Sequence, residues 1–318
     1  MWFSLVSGQM IMNEFLKQIV CCPRCRGDLR EDAAALVCES CHSSYAVVDG
    51  IPLFVSQDAL DTSCGISLEK WDQHYTGFDA QRTIDEYRLQ YESDVNMLFD
   101  HAMSGMRISS RTVLEIGCGP APSRPYWSSR GFAYAGMDFS LSVLKKVQAL
   151  PPTGSAGNNF VCGDILHPPF KENAFDLIWG SGVIEHFKDT AGALAVMRRI
   201  LRPGGRIIAT FPCLSLGALT YRQVWGNIPD VLFVREIAEF VHITLLRKRL
   251  MRFGYEYSFS ERRIRDLVKK ASLELIDFGH FDIITTFEYV SNDWLRTIFR
   301  KMEKWRPFWA MAYMIAEK

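Results

Sequence analysis

The chain has 318 residues, 48% of them hydrophobic and 23% charged, which is enough apolar surface for more than one packed unit and excludes a disordered, highly charged chain. Lys and Arg balance Asp and Glu at 36 each, but unevenly: residues 1–108 carry 8 against 16, and residues 109–318 carry 28 against 20. An acidic first third is a poor binder of a phosphate backbone, so nucleic-acid capture is disfavoured and packing of the two parts on each other is favoured.

From the N-terminus, residues 1–12 are mildly apolar but lack a basic leading region and a cleavage site. They read as a disordered start, with initiation at Met10 or Met12, rather than as a signal peptide, and the expected location is the cytoplasm. Next come Cys22-Pro-Arg-Cys25 and Cys38-Glu-Ser-Cys41, two pairs separated by twelve residues. Four thiolates at this spacing suit a tetrahedral structural Zn2+, and Gly27 suits the backbone turn around sulfur. So small a module has little core of its own, so metal would supply much of its folding energy. Four reduced thiols, or two disulfides in a secreted protein, are the alternatives; Cys21 and His42 flank the pairs as substitute ligands. The other cysteines, Cys64, Cys118, Cys162 and Cys213, are scattered and read as core or bystander residues. The flanking sequence, from Phe15 to Val20 before the first pair and from Tyr45 to Phe54 after the second, resembles the Trm112-type zinc-ribbon module over residues 13–56. That resemblance implies an apolar strand with an Asp49-Gly50-Ile51-Pro52 turn behind the metal site. It also implies a methyltransferase activator, standing alone or, as here, fused to the enzyme.

Residues 57–108 form a linker or N-terminal cap in which Trp71, Tyr75, Tyr87, Leu89, Tyr91, Val95, Leu98 and Phe99 recur near helical spacing, predicting two or three helices. From residue 109 the pattern alternates strand and helix, as a parallel α/β sheet requires. Strands are predicted at 112–116, 133–137, 158–162, 175–180 and 205–211, with helices near 123–130, 141–149 and 190–201. Pro203-Gly204-Gly205 reads as the stop of the last of these helices. Residues 213–258 break the alternation with an apolar, aromatic lid insertion. Its longest apolar stretch, 231–246, is interrupted by Arg235, Glu236, Glu239 and His242, so no run is long enough to span a bilayer. A helix at 260–271 capped by Ser260, a strand at 273–281, a basic amphipathic segment at 292–306 and a last strand at 309–316 follow.

The first strand carries the chemistry. Val113-Leu114-Glu115-Ile116-Gly117-Cys118-Gly119 is an apolar strand ending in a Gly-x-Gly turn, and Asp138 closes the next strand. In an open α/β sheet this is where two glycines let backbone approach a ligand and a neighbouring carboxylate holds a ribose diol. Pro122 stands where a dinucleotide fold needs its third glycine, which argues against a pyrophosphate cradle. Glu115 would repel a phosphate and suits a cationic ligand. The segment resembles motif I of the class I S-adenosylmethionine-dependent methyltransferases, in which the ligand is a sulfonium. The resemblance covers 109–212 by motif and 260–318 by architecture, and implies a Rossmann-like, seven-stranded sheet with an antiparallel last strand. It places Glu115, Gly117, Cys118 and Gly119 at the methionine portion, with Ala121 as the third small residue. Asp138 falls on the ribose, Phe139 and Ser140 beside the adenine, and Asp164 with Ile165 on the adenine amino group and ring. The phrase Trp71-Asp72-Gln73-His74-Tyr75 resembles the aromatic segment that closes over the methionine end in small-molecule methyltransferases; packing the ribbon onto the sheet is the equal alternative.

Ser181, Glu185 and His186 follow the fourth strand, where the resemblance puts the reacting methyl group. His186, with Glu185, is the candidate base, since an imidazole can take a proton near neutrality; bracing the loop is the alternative. Gly182 stands where some relatives carry a metal-binding glutamate, which argues against a catalytic metal. His167-Pro168-Pro169-Phe170 looks like the motif of amino-methylating nucleic-acid enzymes but follows the wrong strand. Cys213 lacks the pattern around a nucleophilic cysteine.

Leu214, Leu216, Leu219, Tyr221, Trp225, Leu232 and Phe233 predict an apolar roof, and with it a partly hydrophobic small-molecule or lipid- or glycan-linked acceptor. Arg247-Lys248-Arg249 with Arg252 leaves a peripheral membrane contact open beside the simpler reading of a solvated helix end. An RNA methyltransferase with a zinc module, or a non-catalytic adaptor, are the competing functions. The atom methylated and the oligomeric state are not written in the sequence.

Overall fold

The computed structural model describes residues 12–32, 35–55, 75, 77, 79–90, 92–150, 159–216, 228–247, 255–281, 292–302 and 304–318. The N-terminal unit begins with helix α1 (Glu14–Ile19), capped by Asn13, whose side chain accepts from the Leu16 N–H at 3.0 Å. Strands β1 (Leu29–Asp32), β2 (Ala35–Cys38), β3 (Ser44–Val48) and β4 (Ile51–Pro52) then pair antiparallel in sequential order. Two helices follow, α2 (Ala80–Gln90) and α3 (Glu92–Met103). Val95, Leu98 and Phe99 of α3 are buried as the spacing predicts, with the Phe99 ring 4.4 Å from Trp127 and 4.9 Å from Trp179. Leu89 is 85% exposed, and Trp71 and Tyr91 lie outside the described residues.

The large sheet is built from β5 (Thr112–Ile116), β6 (Ala133–Asp138), β7 (Phe160–Cys162), β8 (Phe175–Ser181), β9 (Leu201–Pro212), β12 (Glu274–His280) and β13 (Met311–Glu317). Between β9 and β12 lies a short parallel pair, β10 (Ile228–Pro229) and β11 (Tyr257–Ser258). The seven strands run in the order β12-β13-β9-β8-β5-β6-β7, with β5 to β9 mutually parallel and β13 antiparallel to both neighbours. Every residue of β5 is buried, as expected for a strand covered on both faces. The connecting helices are α4 (Arg124–Ser129), α5 (Leu141–Gln148) and α6 (Thr190–Ile200); α7 (Val234–Glu239), α8 (Glu261–Lys270) and α9 (Asp293–Met302) come later. Ser260 caps α8, its Oγ accepting from Arg263 N at 3.2 Å.

One boundary departs from expectation. Pro203-Gly204-Gly205 does not separate helix from strand, because β9 already begins at Leu201. The register jumps from Phe175 opposite Leu201 to Leu177 opposite Arg206, so these residues form a bulge inside the strand. Gly204 supplies a φ of +74°, and a side chain on Gly205 would sit 2.9 Å from the Asp176 carbonyl.

The N-terminal unit seals the β7 edge of the large sheet. Val20 bridges Phe170, Cys21 N donates to Pro169 O at 2.9 Å, and Lys171 N donates to Ile19 O at 2.8 Å. Farther on, Leu53 bridges Cys162 in parallel and Phe54 N donates to Cys162 O at 2.8 Å. Ion pairs Lys145–Asp49 and Lys171–Asp28, both 2.9 Å, match an acidic N-terminal part to a basic C-terminal part, while Arg26–Glu172 at 2.7 Å runs the other way. His167-Pro168-Pro169-Phe170 thus has a structural use: it is the seam on which the N-terminal unit rests.

Candidate active site and metal centre

The carboxyl ends of β5, β6 and β8 converge, as parallel strands do at a topological switch point. Between them and the loop after β7 lies a cavity of about 150 Å³ lined by Gly117, Asp138, Phe139, Asp164, Ile165, Ser181 and His186, together with Tyr75, Gly182, Val183 and Phe187. Nine of the residues named from the sequence, all but Val183 and Phe187, therefore meet at one place.

The turn after β5 is built for close approach. Gly117 and Gly119 have φ of +57° and +46°, and a Cβ on Gly117 would press within 2.8 Å of Val183 Cγ2. Asp138 ties the turn to the next strand: one carboxylate oxygen accepts from Gly119 N and the other from Ser140 N, each at 2.9 Å. A carboxylate has about four lone-pair directions, more than these two bonds use. Ser140 is fully buried as the cap of α5, and Gly119 and Ser140 orient Asp138 rather than line the cavity. Asp164 accepts from Leu166 N and from His167 Nδ1, both at 2.9 Å, which fixes its side chain at the cavity wall.

Glu115 and Cys118 point elsewhere. The Glu115 carboxylate lies behind the turn, where Oε2 accepts from Tyr134 at 2.5 Å and from Ser123 at 2.7 Å. Burial pushes its pKa up to about 7, against the pull of those hydroxyls and of Trp179. Cys118 is buried in the core beside Gly136, and burial drives its thiol well above the usual range. Arg124, buried 5.6 Å from the Phe160 ring centroid, completes this polar knot; nothing in the sequence marked it.

His186 ends a single helical turn, Ile184–His186, and its Nδ1 donates to the Tyr255 carbonyl at 2.6 Å. A carbonyl can only accept, so the proton sits on Nδ1 and Nε2 is the basic nitrogen of the neutral ring. Glu185 is 1% exposed and packs under Gly182, behind the loop rather than in the cavity. Tyr75 is the described member of its aromatic phrase, residues 71–74 lying outside. Its hydroxyl comes within 3.4 Å of where a Gly119 side chain would begin, and burial followed by the nearby Asp138 charge raises its pKa well above the usual range. Val183 and Phe187 were missed in the sequence; their only signal was adjacency to His186. Ser181 Oγ meets Thr210 Oγ1 at 2.8 Å, joining β8 to β9 at the cavity rim. Cys213 lies outside this cavity, its thiol pushed up to about 11 by burial, which suits an inert core residue.

Of the expected roof, Leu214 is half-buried while Leu216, Leu232 and Phe233 are exposed, and none lines the cavity; Leu219, Tyr221 and Trp225 lie outside the described residues. In the described part of the segment Ile228 and Tyr257 are buried and Ala238 and Ile243 pack on the core, while Ile237 and Leu245 are exposed.

In the N-terminal unit the sulfurs of Cys22, Cys25, Cys38 and Cys41 lie within 4.8 Å of one another. Cys22–Cys41 is 3.7 Å and Cys25–Cys38 is 3.4 Å. A tetrahedral zinc with bonds of about 2.3 Å needs sulfur separations of about 3.8 Å, so the four thiols fit that ion. Cys21 and His42 stand outside this group.

Comparison with known proteins agrees with this arrangement. A family model for a methyltransferase domain matches residues 114–209, and one for Trm112p-like protein matches residues 13–50. Residues 114–209 are a methyltransferase domain. Ahead of that domain stands a Trm112p-like module. The domain is similar to malonyl-[acyl-carrier protein] O-methyltransferase of Pseudescherichia vulneris, at 32% identity over 118 residues, 37% of this chain and 45% of that protein. It is also similar to the chloroplastic tocopherol O-methyltransferase of Arabidopsis thaliana, at 32% over 126 residues, 38% of this chain and 36% of that protein. The chain spans about half the length of the curated relatives it matches. Among solved structures, geranyl diphosphate C-methyltransferase from Streptomyces coelicolor A3(2) shares the fold at 15% identity, with a TM-score of 0.50 over 76% of this chain and 85% of that one.

Proposed function

We propose that the chain is an S-adenosylmethionine-dependent methyltransferase acting on a small-molecule or lipid- or glycan-linked acceptor, with a structural Zn2+ held by Cys22, Cys25, Cys38 and Cys41. One observation carries this reading: Gly117, Asp138, Asp164 and His186, at or just beyond the carboxyl ends of four successive strands, line one cavity in a methyltransferase domain. Asp138 would take the ribose hydroxyls, Phe139 and Ile165 the faces of the adenine, and Asp164 its amino group. Gly117 would pass the methionine portion. Glu115, Cys118, Gly119 and Ser140 would serve from behind, by shaping the turn and orienting Asp138.

When bound, the cofactor supplies a methyl group on a positively charged sulfur, an electrophile that needs no further activation. What remains for the protein is alignment and exclusion of water. Tyr75 and Phe187 line the same cavity and would help to exclude water. His186, its Nδ1 committed to the Tyr255 carbonyl, presents Nε2 to accept the proton an acceptor hydroxyl or amine loses. Glu185 would position the turn that carries His186. Relatives named for methylating malonyl-[acyl-carrier protein] and tocopherol support a small-molecule or carrier-linked acceptor.

Calorimetry tests the assignment. Asp138→Ala is expected to weaken S-adenosylmethionine binding by about 100-fold, the cost of a bidentate charged contact. Retained affinity would falsify the ribose assignment. Labelled-methyl transfer screened over acyl-thioester, phenolic and prenyl acceptors then reads the acceptor class.

A further inference from the structure

Two connections leave and re-enter the large sheet at the edge where the cavity opens. Residues 213–256 begin at the carboxyl end of β9, and residues 281–310 run from the carboxyl end of β12 to Met311, which pairs with Pro212. Cys213 N donates to Ala310 O at 2.8 Å, so the two connections start side by side. His186 is bonded to Tyr255 at the end of the first.

Both connections show large apolar side chains to solvent. On the first, Leu232 is 74% exposed, Phe233 73%, Ile237 65% and Leu245 62%. On the second, α9 has no buried residue; Trp294, Leu295, Ile298, Phe299 and Met302 share one face, with Trp294 70% exposed. The opposite face carries Arg300 and an Arg296–Asp293 ion pair at 3.2 Å, while Lys301, seven residues after Trp294, flanks the apolar face, and Lys304 follows. A short helix with a tryptophan-bearing apolar face and a basic polar face has the chemistry of a bilayer interface, where the rings lie at headgroup depth and the cations meet anionic lipid. Among the described residues Arg300, Lys301 and Lys304 have no ion-pair partner.

We propose that this edge, formed by the tip at Leu232–Phe233, α7 and α9, docks on an anionic phospholipid surface, so that the cavity meets acceptors held in or at the membrane. The second clause rests on the methyltransferase reading; the docking itself does not. No helix among the described residues is long and apolar enough to cross a membrane, so the contact is peripheral.

The test is flotation of the full chain with vesicles of phosphatidylcholine alone and with roughly one-third phosphatidylglycerol. Binding to the anionic vesicles alone, lost at about 1 M salt where the Debye length is about 3 Å, is the expected result. Arg300→Glu with Lys301→Glu, and separately Leu232→Ser with Phe233→Ser, should each lower the bound fraction at least about tenfold. Thermal melting checks that both variants fold, and calorimetry with S-adenosylmethionine on the α9 variant should be unchanged. No flotation, or flotation indifferent to both variants, overturns docking. So does a shift from dimer to monomer by sedimentation in the variants without a change in vesicle binding, which would make the face a self-association surface. A chain that floats but binds no S-adenosylmethionine overturns the methyltransferase reading and leaves docking standing.

Discussion

The β7 edge and the carboxyl edge of the same sheet handle apolar surface in opposite ways. At the first, Phe170 is 1% exposed under the N-terminal unit, and backbone bonds from Cys21, Lys171 and Phe54 close the strand edge. At the second, Leu232, Phe233 and Trp294 stand open to solvent. Covering a sheet edge within one chain removes a site for unwanted pairing. The apolar side chains left open at the second edge are the surface proposed to dock on a membrane. The contrast sets contacts that hold the fold against apolar side chains left open, and it can be broken at several points.

The largest effect is expected from the metal centre. Cys41→Ser leaves three thiolates, and loss of metal removes folding energy on the order of 10 kcal/mol from a module with little core. Metal content by mass spectrometry should fall below one zinc per chain. Because Cys21 and Ile19 hold the loop that also carries Asp164, cofactor affinity should fall by about tenfold as well. A zinc-free chain with unaltered melting and cofactor binding would show that the N-terminal unit is an ornament on the sheet.

Next is the seam. Phe170→Ala should cost about 3–5 kcal/mol in denaturant unfolding, because its ring is buried against Phe175 at 5.1 Å. The same change at Leu232, on the open edge, should stay within about 0.5 kcal/mol. Equal costs at the two sites would mean that the open edge is packed in solution.

Legibility in the sequence follows the same division. The strands that carry the site read correctly because each is an apolar run ended by a glycine or an aspartate, a purely local signal. The four cysteines could be grouped from the sequence because their spacing is a local signal too, and their sulfurs do come together. The start of β9 was hidden, since Pro203-Gly204-Gly205 carries a stop signal that pairing with β8 and the Gly204–Lys318 bond override. Of the expected roof, Leu216, Leu232 and Phe233 are exposed, which the sequence did not reveal, because hydrophobicity alone does not say which side of a segment faces the protein. Glu115 was read as a ligand contact, but Tyr134 and Ser123 reach it from elsewhere in the chain, and no local pattern announces them.

Glu115 gives a pH test of moderate size. Its folded pKa, about 7, lies above the ordinary carboxylate value, so the folded state holds a proton that the unfolded chain has lost. Stability from this group is present below about pH 4.5 and declines as pH rises toward 7, by up to about 3 kcal/mol, then levels off. Glu115→Gln keeps the acceptor oxygen without the charge and should flatten that decline in melting curves taken across the range. An unchanged slope would place the titration in another group.

The smallest effect is the most diagnostic for the open edge. Phe233 has φ of +66° and ψ of −34°, a left-handed backbone conformation that an aromatic residue adopts only at a cost of about 1–3 kcal/mol. Nothing in its 73% exposed side chain repays that cost within the protein. Phe233→Gly relieves the strain, so the unfolding midpoint should rise by the equivalent of about 1 kcal/mol, less the entropy that glycine adds to the unfolded chain. In the same variant vesicle binding should fall, because the ring is gone. Stability and docking moving in opposite directions would mark Phe233 as held for its partner; a variant that loses both would return it to the fold.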